Sequence, residues 1–460
     1  MTRFPPLRLL HASILLTFAL IPVWYRLPRV PPLLPDLYVS RFLILLPMLL
    51  TIAGWLALGL PGLADLRCDA ARRTWALALL LLALWGFASQ GWAYQRIQHP
   101  EAAATAALQF GIAALFAVVV ACAGPPRRAI IAVLVVSLTW NSLVGGIQVA
   151  AQGSIGLSAL GEFPLSIDQT GISVVQAGAL RWLRPYGLLP HPNMLAGVLV
   201  LGLMGAGAWI LSARRRVWIT ATLLASGGLW ALGLTFSRAA WGGLVVGLLA
   251  TLPFLWRGRW IRRRHLLTAA LLLLTAGLFF LHYRPFLLAR AGVNQESIEQ
   301  RSISDRRVFT EFALRAIGEN PLLGVGIGNF PWKASFYLMS LPYDLQGDNV
   351  HNIYLSAWAE LGVIGLALYG VALLAGLFAA ARHLRAQPDR SGGMLLGGVV
   401  ALLALGLLDH YPYTLIQFQV ALWGLLAAAA GEGVGGKGCE EEAVSGPQFT
   451  DNDQAPIPSS

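Results

Sequence analysis

Arg262-Arg263-Arg264-His265-Leu266-Leu267-Thr268-Ala269-Ala270-Leu271-Leu272-Leu273-Leu274-Thr275-Ala276-Gly277-Leu278-Phe279-Phe280-Leu281 is the stretch on which the fold turns. Consecutive arginines give way to an uncharged apolar run that continues to about Tyr283. A bilayer core is about 30 Å thick and is crossed by a helix of about 20 apolar residues. The run is long enough to span a membrane, and its arginines mark the cytoplasmic end of the span. Outward from it, comparable runs lie near 8–25, 41–60, 74–94, 103–123, 129–151, 193–212, 217–236, 239–256, 353–381, 392–409 and 414–430. The expected fold is therefore all-α, a polytopic membrane protein of about twelve transmembrane helices. The composition agrees: 57% of the 460 residues are hydrophobic and 12% are charged. Soluble domains carry about 25% charged residues, so lipid must solvate much of this surface.

The net charge of +11 could point to nucleic acid, but much of the arginine sits in short clusters between spans. Arg67, Arg72 and Arg73 form one cluster, Arg127 and Arg128 a second, and Arg214, Arg215 and Arg216 a third. Arg257 to Arg264, then Arg382, Arg385 and Arg390, complete the pattern. Alternate connections are basic, which predicts that they and both termini are cytoplasmic. Arg26 and Arg29 in the first connection run against this rule and are outvoted. No nucleic-acid partner is expected. The basic N-terminus with its apolar run resembles a signal peptide, but Pro22-Val23-Trp24-Tyr25 offers no cleavage site. A retained first span is expected.

The transmembrane domain is expected over residues 1–430, with long outward loops near 152–192 and 284–352. The first loop has the mixed composition of an amphipathic stretch lying along the interface. The second reads as a short helix around 305–318, a turn at Glu319-Asn320-Pro321 and a glycine-rich stretch. Residues 431–460 are polar and low in large apolar side chains, the composition of a disordered cytoplasmic tail. Cys68, Cys122 and Cys439 match no metal or haem spacing and lie toward the cytoplasmic side, so no disulfide is expected.

Four features fall on the outward side: Arg184-Pro185-Tyr186-Gly187 with His191-Pro192-Asn193, Ser237-Arg238, Ser304-Asp305-Arg306-Arg307, and Asp348-Asn349-Val350-His351-Asn352. Arg238 sits between two apolar runs with almost no loop, where a charge needs a partner or water. Alone it is equally an arginine reaching for headgroups. Arg306 alone is more often a solvated helix face, with Arg307 an equal candidate. Together the guanidiniums make an anion site, because they bind phosphate bidentately and stay charged at any working pH. His351 is the natural proton acceptor, titrating near neutrality and biased to its basic form by nearby arginines. The plain alternative is a histidine that caps its helix, and His191 has the same alternative. Glu360 lies inside a span and needs a partner, expected to be an arginine. Gly362 and Gly365 are expected to let helices pack closely. Asp344 and Asp348 are too sparse to argue for a metal, and neither metal nor other cofactor is expected.

His351-Asn352-Ile353-Tyr354-Leu355 followed by Glu360-Leu361-Gly362-Val363-Ile364-Gly365 resembles the signature of the O-antigen ligase and O-antigen polymerase family. Asn320-Pro321-Leu322-Leu323-Gly324-Val325-Gly326-Ile327-Gly328-Asn329-Phe330, Ser237-Arg238-Ala239-Ala240-Trp241 and the Arg184 and His191 motifs are similar to it too. The resemblance covers roughly 180–370; the first five spans match in hydrophobic character alone. It implies a GT-C-like bacterial inner-membrane glycosyltransferase with its active face outward, metal-independent and inverting. The donor would be a glycan on undecaprenyl diphosphate, and the acceptor a hydroxyl of a glycan, lipid or protein, as in lipopolysaccharide and other cell-envelope polysaccharide assembly. Arg184, Arg238 and Arg306 would grip the diphosphate and His351 would take the acceptor's proton. His191, Asn352 and Glu360 would support them. Two other classes stay open: a membrane transporter, since some relatives carry a bicarbonate-transporter label, and a non-catalytic envelope assembly protein.

Overall fold

The computed structural model describes residues 5–26, 42–95, 100–212, 214–291, 297–339 and 347–431. The tail beyond Gly431 and Asp344 lie outside the described residues. The helices are α1 (Pro5–Ala19), α2 (Leu45–Ala57), α3 (Leu63–Cys68), α4 (Ala70–Ala88), α5 (Pro100–Ala123), α6 (Arg127–Ala151), α7 (Pro192–Ile210), α8 (Arg215–Leu234) and α9 (Arg238–Arg257). They continue with α10 (Arg264–Arg290), α11 (Ser297–Glu319), α12 (Phe330–Leu338), α13 (Ile353–Ala386), α14 (Arg390–Leu405) and α15 (Tyr411–Thr414). The last are α16 (Ile416–Gln419) and α17 (Leu425–Ala430), joined by a π-helical turn at Val420–Gly424.

Among the described residues, eight helices are long and apolar enough to cross a membrane: α4 to α10 and α13. The shorter apolar helices α1, α2 and α14 and the run from α16 to α17 occupy the other expected places. The protein is thus an all-α, multi-pass membrane protein. Burial separates the helices by role. α5 is almost enclosed by its neighbours, while α10 turns its apolar side chains outward, with Leu273 and Leu281 73% and 70% exposed. Such a surface is stable against lipid and not against water.

Arginines staple the connections at one end of the bundle. Arg127 pairs with Asp389 (3.4 Å) and donates to Ala428 O (2.8 Å) and Ala429 O (3.2 Å). Arg382 pairs with Asp69, Arg390 donates to Leu211 O, and Arg264 donates to Ser212 O. Five basic connections therefore meet at one end, and α9 and α13 both begin at the opposite end.

Two devices fix that opposite end. On α9 a Cβ at Gly247 would stand 2.5 Å from Gly397 O of α14, and one at Gly243 would stand 2.8 Å from Ala401 O. Small residues thus let α9 and α14 touch backbone to backbone. The second device is a kink. Gly362 sits at φ +66° inside α13, a conformation open to glycine and costly for other residues. The broken turn frees Ala359 O and Glu360 O, which accept from Val325 N (2.9 Å) and Gly326 N (2.8 Å). Val363 N donates in turn to Pro321 O (2.9 Å), and Trp85 Nε1 to Leu361 O (2.9 Å). Every freed group named here finds a partner, as buried backbone requires. The glycine pair was expected to serve helix packing; Gly362 instead bends the helix so that the 321–330 loop docks on it.

The outward loops differ from expectation in detail. Residues 174–183 are not an amphipathic stretch along an interface but an antiparallel hairpin, β1 (Val174–Ala177) and β2 (Leu180–Leu183). Gly178 at φ +63° makes the turn, and Val175 and Trp182 pack on Tyr283 and Phe286 of α10. In the second loop α11 is longer than expected, and α12 falls where a glycine-rich stretch was read to continue. Phe309, Phe312, Phe330 and Tyr337 from these helices form a separate apolar cluster against Val350 and Ala359. Cys68 is disulfide-bonded, against expectation. Spacing along a chain does not say which segments fold together.

Candidate functional site

The site grows from the start of α13. Asn352 caps that helix, its Oδ1 accepting from Tyr354 N (2.9 Å) and Leu355 N (3.0 Å). The cap satisfies two orphan donors and sets His351 just ahead of the first turn. His351 is 23% exposed, and its Nδ1 lies 3.5 Å from Asp409 Oδ1. That is longer than a formed N–H···O bond, and such contacts are often loose before substrate binds. Asp409 follows α14 and is 4% exposed. Its Oδ2 accepts from Asn193 Nδ2 (2.8 Å), and Asn193 Oδ1 accepts from Arg184 Nη2 (2.7 Å). Arg184 also donates from Nε to Thr235 O (2.6 Å) and from Nη1 to Ser173 Oγ (2.7 Å). A continuous polar chain therefore runs from Arg184 through Asn193 and Asp409 to His351.

Charge accompanies the chain. Burial alone would raise the Asp409 carboxyl, but contact with His351 and the fields of His410 and Arg306 outweigh it and hold the group well below the usual carboxylate range. It is an anion at any physiological pH. His191 caps α7, its Nδ1 accepting from Asn193 N (3.1 Å). Burial first, then Arg184, lowers its imidazole to about 3, so it is neutral and can accept. His410 is lowered by burial, opposed by Asp409 and Asp348, and its Nδ1 lies 2.8 Å from Thr414 Oγ1.

The expected residues divide into three groups. Arg184, His191, His351 and Arg306 meet around Asp409 and His410; the field of Arg306 reaches both of the latter. Its neighbour Arg307 is 82% exposed and pairs with Glu311 at 3.1 Å. Arg238 is exposed at the start of α9, joined to the cluster through the Thr235 to Ser237 turn. Its Nη1 donates to Arg290 O (2.5 Å), and both arginines border an apolar cavity of about 410 Å³ lined by Leu232, Trp241 and Phe279. Glu360 is a support: its carboxylate accepts from Phe330 N (3.3 Å) and Gly328 N, not from the arginine expected. The kink brings backbone N–H groups close enough to be its hydrogen-bond partners.

Asp409, His410 and Arg290 were missed. Asp409-His410 was available as a signal, an ionisable pair at the end of an apolar run, which marks function by default.

Fold and site together define a multi-pass membrane protein with a histidine–carboxylate pair and an arginine group at one end of its bundle. Residues 222–370 match the family model described as O-antigen ligase. That match, over about a third of the chain, agrees with the resemblance drawn from its motifs. The matched segment holds Arg238, Arg306, His351, Asn352 and Glu360, whereas Arg184, His191 and Asp409 lie outside it. No curated protein matches the chain. A chain of a peptidoglycan synthase complex among solved structures is similar at 16% identity and a TM-score of 0.40, over 77% of this chain and 96% of that one. At that distance neither fold nor activity transfers.

Proposed function

We propose that this protein transfers a glycan from a polyprenyl diphosphate carrier to an acceptor hydroxyl, with His351 as general base. The observation that carries the reading is the contact of His351 with a buried, ionised Asp409 in a cluster with Arg306. In the reacting tautomer Nδ1–H points at Asp409 and the Nε2 lone pair is free. Nε2 takes the proton of the acceptor hydroxyl as its oxygen bonds to the anomeric carbon. The bond from that carbon to the diphosphate oxygen breaks, and the electron pair leaves with the diphosphate. A single displacement of this kind inverts the anomeric centre.

Arg306 and Arg238 are the guanidiniums suited to the departing charge, which fixed cations stabilise most strongly in a site shielded from water. Arg184 was expected among them, but three of its nitrogens already donate to the protein. Its role in this reading is to position Asn193, and through it Asp409 and His351. The apolar cavity beside Arg238 suits the first isoprene units of the carrier. The arginine-stapled end is cytoplasmic in this reading, so the site faces outward from the bacterial inner membrane.

The test is transfer by purified protein given an undecaprenyl-diphosphate glycan and candidate acceptors. Wild type forms product; His351→Ala and Arg238→Ala, shown to be folded, form none. The acceptor used separates ligation to a lipid or protein from polymerisation. Full product from both variants would sink the mechanism and move weight to an assembly role. Solute uptake into vesicles with no glycan donor would favour transport.

A further inference from the structure

We propose that His351, Asp409 and His410 form a binding site for a divalent transition-metal ion, zinc by ligand type, whose occupation switches the base off. The metal site stands on geometry alone; its inhibitory effect rests on the function proposed above.

Each of the three residues offers one ligand atom, and these atoms all lie within 4.8 Å of one another. Two imidazoles and one carboxylate are a common zinc donor set, leaving a fourth position for water. His351 Nδ1 is buried without a hydrogen-bond partner. It lies 3.5 Å from Asp409 Oδ1, too far for a good hydrogen bond. That distance is close to the roughly 3.3 Å that separates two ligands of one tetrahedral zinc with bonds of about 2.0 Å.

The surrounding contacts suit ligation. His410 Nδ1 is engaged with Thr414 Oγ1 at 2.8 Å, and donation there leaves the Nε2 lone pair free. Asn193 Nδ2 holds Asp409 Oδ2 (2.8 Å), and Oδ1, which accepts from His410 N (3.0 Å), keeps a second lone pair for the ion. The fields acting on Asp409 and His410 include Arg306 on one side and Asp348 on the other. Arg306 opposes an entering cation, while Asp409 and Asp348 attract it. Such a site favours reversible occupation over a permanently held cofactor.

The consequence follows from tautomers. As a base, His351 needs its proton on Nδ1 and its lone pair on Nε2. As a metal ligand through Nδ1 it needs the reverse, with Nε2 protonated. One imidazole cannot do both, so bound zinc removes the proton acceptor.

The full-length protein in detergent is titrated with zinc by calorimetry, and with cobalt(II) for its visible absorption. We expect one ion per chain, with affinity falling at least tenfold in His410→Ala; transfer by each protein is read against its own metal-free rate. Zinc is expected to inhibit wild-type transfer, chelator to restore it, and His410→Ala to resist it. No saturable binding of either metal, or equal affinity in wild type and His410→Ala, would overturn the site. Binding without loss of transfer would overturn the inhibition. Absence of all glycan transfer would strike the proposed function and leave the titration to judge the site.

Discussion

The two ends of the bundle spend their arginines differently. At the stapled end, Arg127 and Arg382 are matched by Asp389 and Asp69, and the remaining bonds go to helix C-terminal or loop carbonyls. These contacts close the structure on itself. At the other end Asp409 is shared by an asparagine and a histidine with Arg306 nearby, and Arg238 borders a cavity. There the buried Nδ1 of His351 has no hydrogen-bond partner, and a folded protein gains little from leaving it so. The difference teaches that arginine count locates the membrane's sides, while incomplete satisfaction locates the chemistry.

The largest expected effect tests the second end. Asp409→Asn keeps the shape and the contact with Asn193 but removes the charge that orients and stabilises a protonated His351. Transfer should fall on the order of a thousandfold with little change in melting temperature, since loss of the orienting carboxylate has costs of that order elsewhere. Unchanged turnover would show that Asp409 is as structural as Asp389.

A smaller effect of the opposite kind is expected at the stapled end. Arg127→Ala removes a 4% exposed guanidinium with three partners, and should destabilise by about 3 kcal/mol. Activity per folded molecule should be unchanged. Denaturation in detergent, paired with a transfer assay, separates the two quantities. Lost activity in folded protein would erase the contrast between the ends.

How far these ends could be read beforehand depended on the type of signal. The twelve apolar runs were visible because length and hydrophobicity act locally. Arg306 and Arg307 are alike in sequence, and that Arg307 is the one 82% exposed depends on rotation about the helix axis, which composition does not reveal. The hairpin at 174–183 was hidden in a mixed composition, although Gly178 marks its turn. α12 was hidden too, although Pro331 in its first turn is a start signal. Asp409 was overlooked by being counted into a span, where the rule applied to Glu360 and Arg238 should have been applied again. That Glu360 would be met by Gly328 and Phe330, not by a cation, needed the kink at Gly362, a tertiary feature.

Acid should also probe the site end. His191 has its folded value lowered from 6.5 to about 3, so between those values the unfolded chain binds more protons than the folded one. Stability contributed by this group is complete above about 6.5 and declines as pH falls toward 3. Protonation of Nδ1 also ends its acceptance of Asn193 N–H. His191→Asn, which retains a capping oxygen, should show a shallower loss of melting temperature across that window. An identical slope would assign the acid sensitivity elsewhere.

The smallest expected effect is the sharpest control. Arg307 and Glu311 are 82% and 62% exposed, and exposed i,i+4 pairs contribute about 0.5 kcal/mol or less. Arg307→Ala should leave stability and transfer nearly unchanged, while Arg306→Ala, one position away on α11, should reduce transfer without unfolding. The two variants lose the same charge from the same helix, so net charge and long-range attraction of the anionic donor are held equal. A difference between them then measures placement alone. The reverse order would mean that α11 presents its other face when the donor binds, and that the field of Arg306 on Asp409 belongs to a resting arrangement.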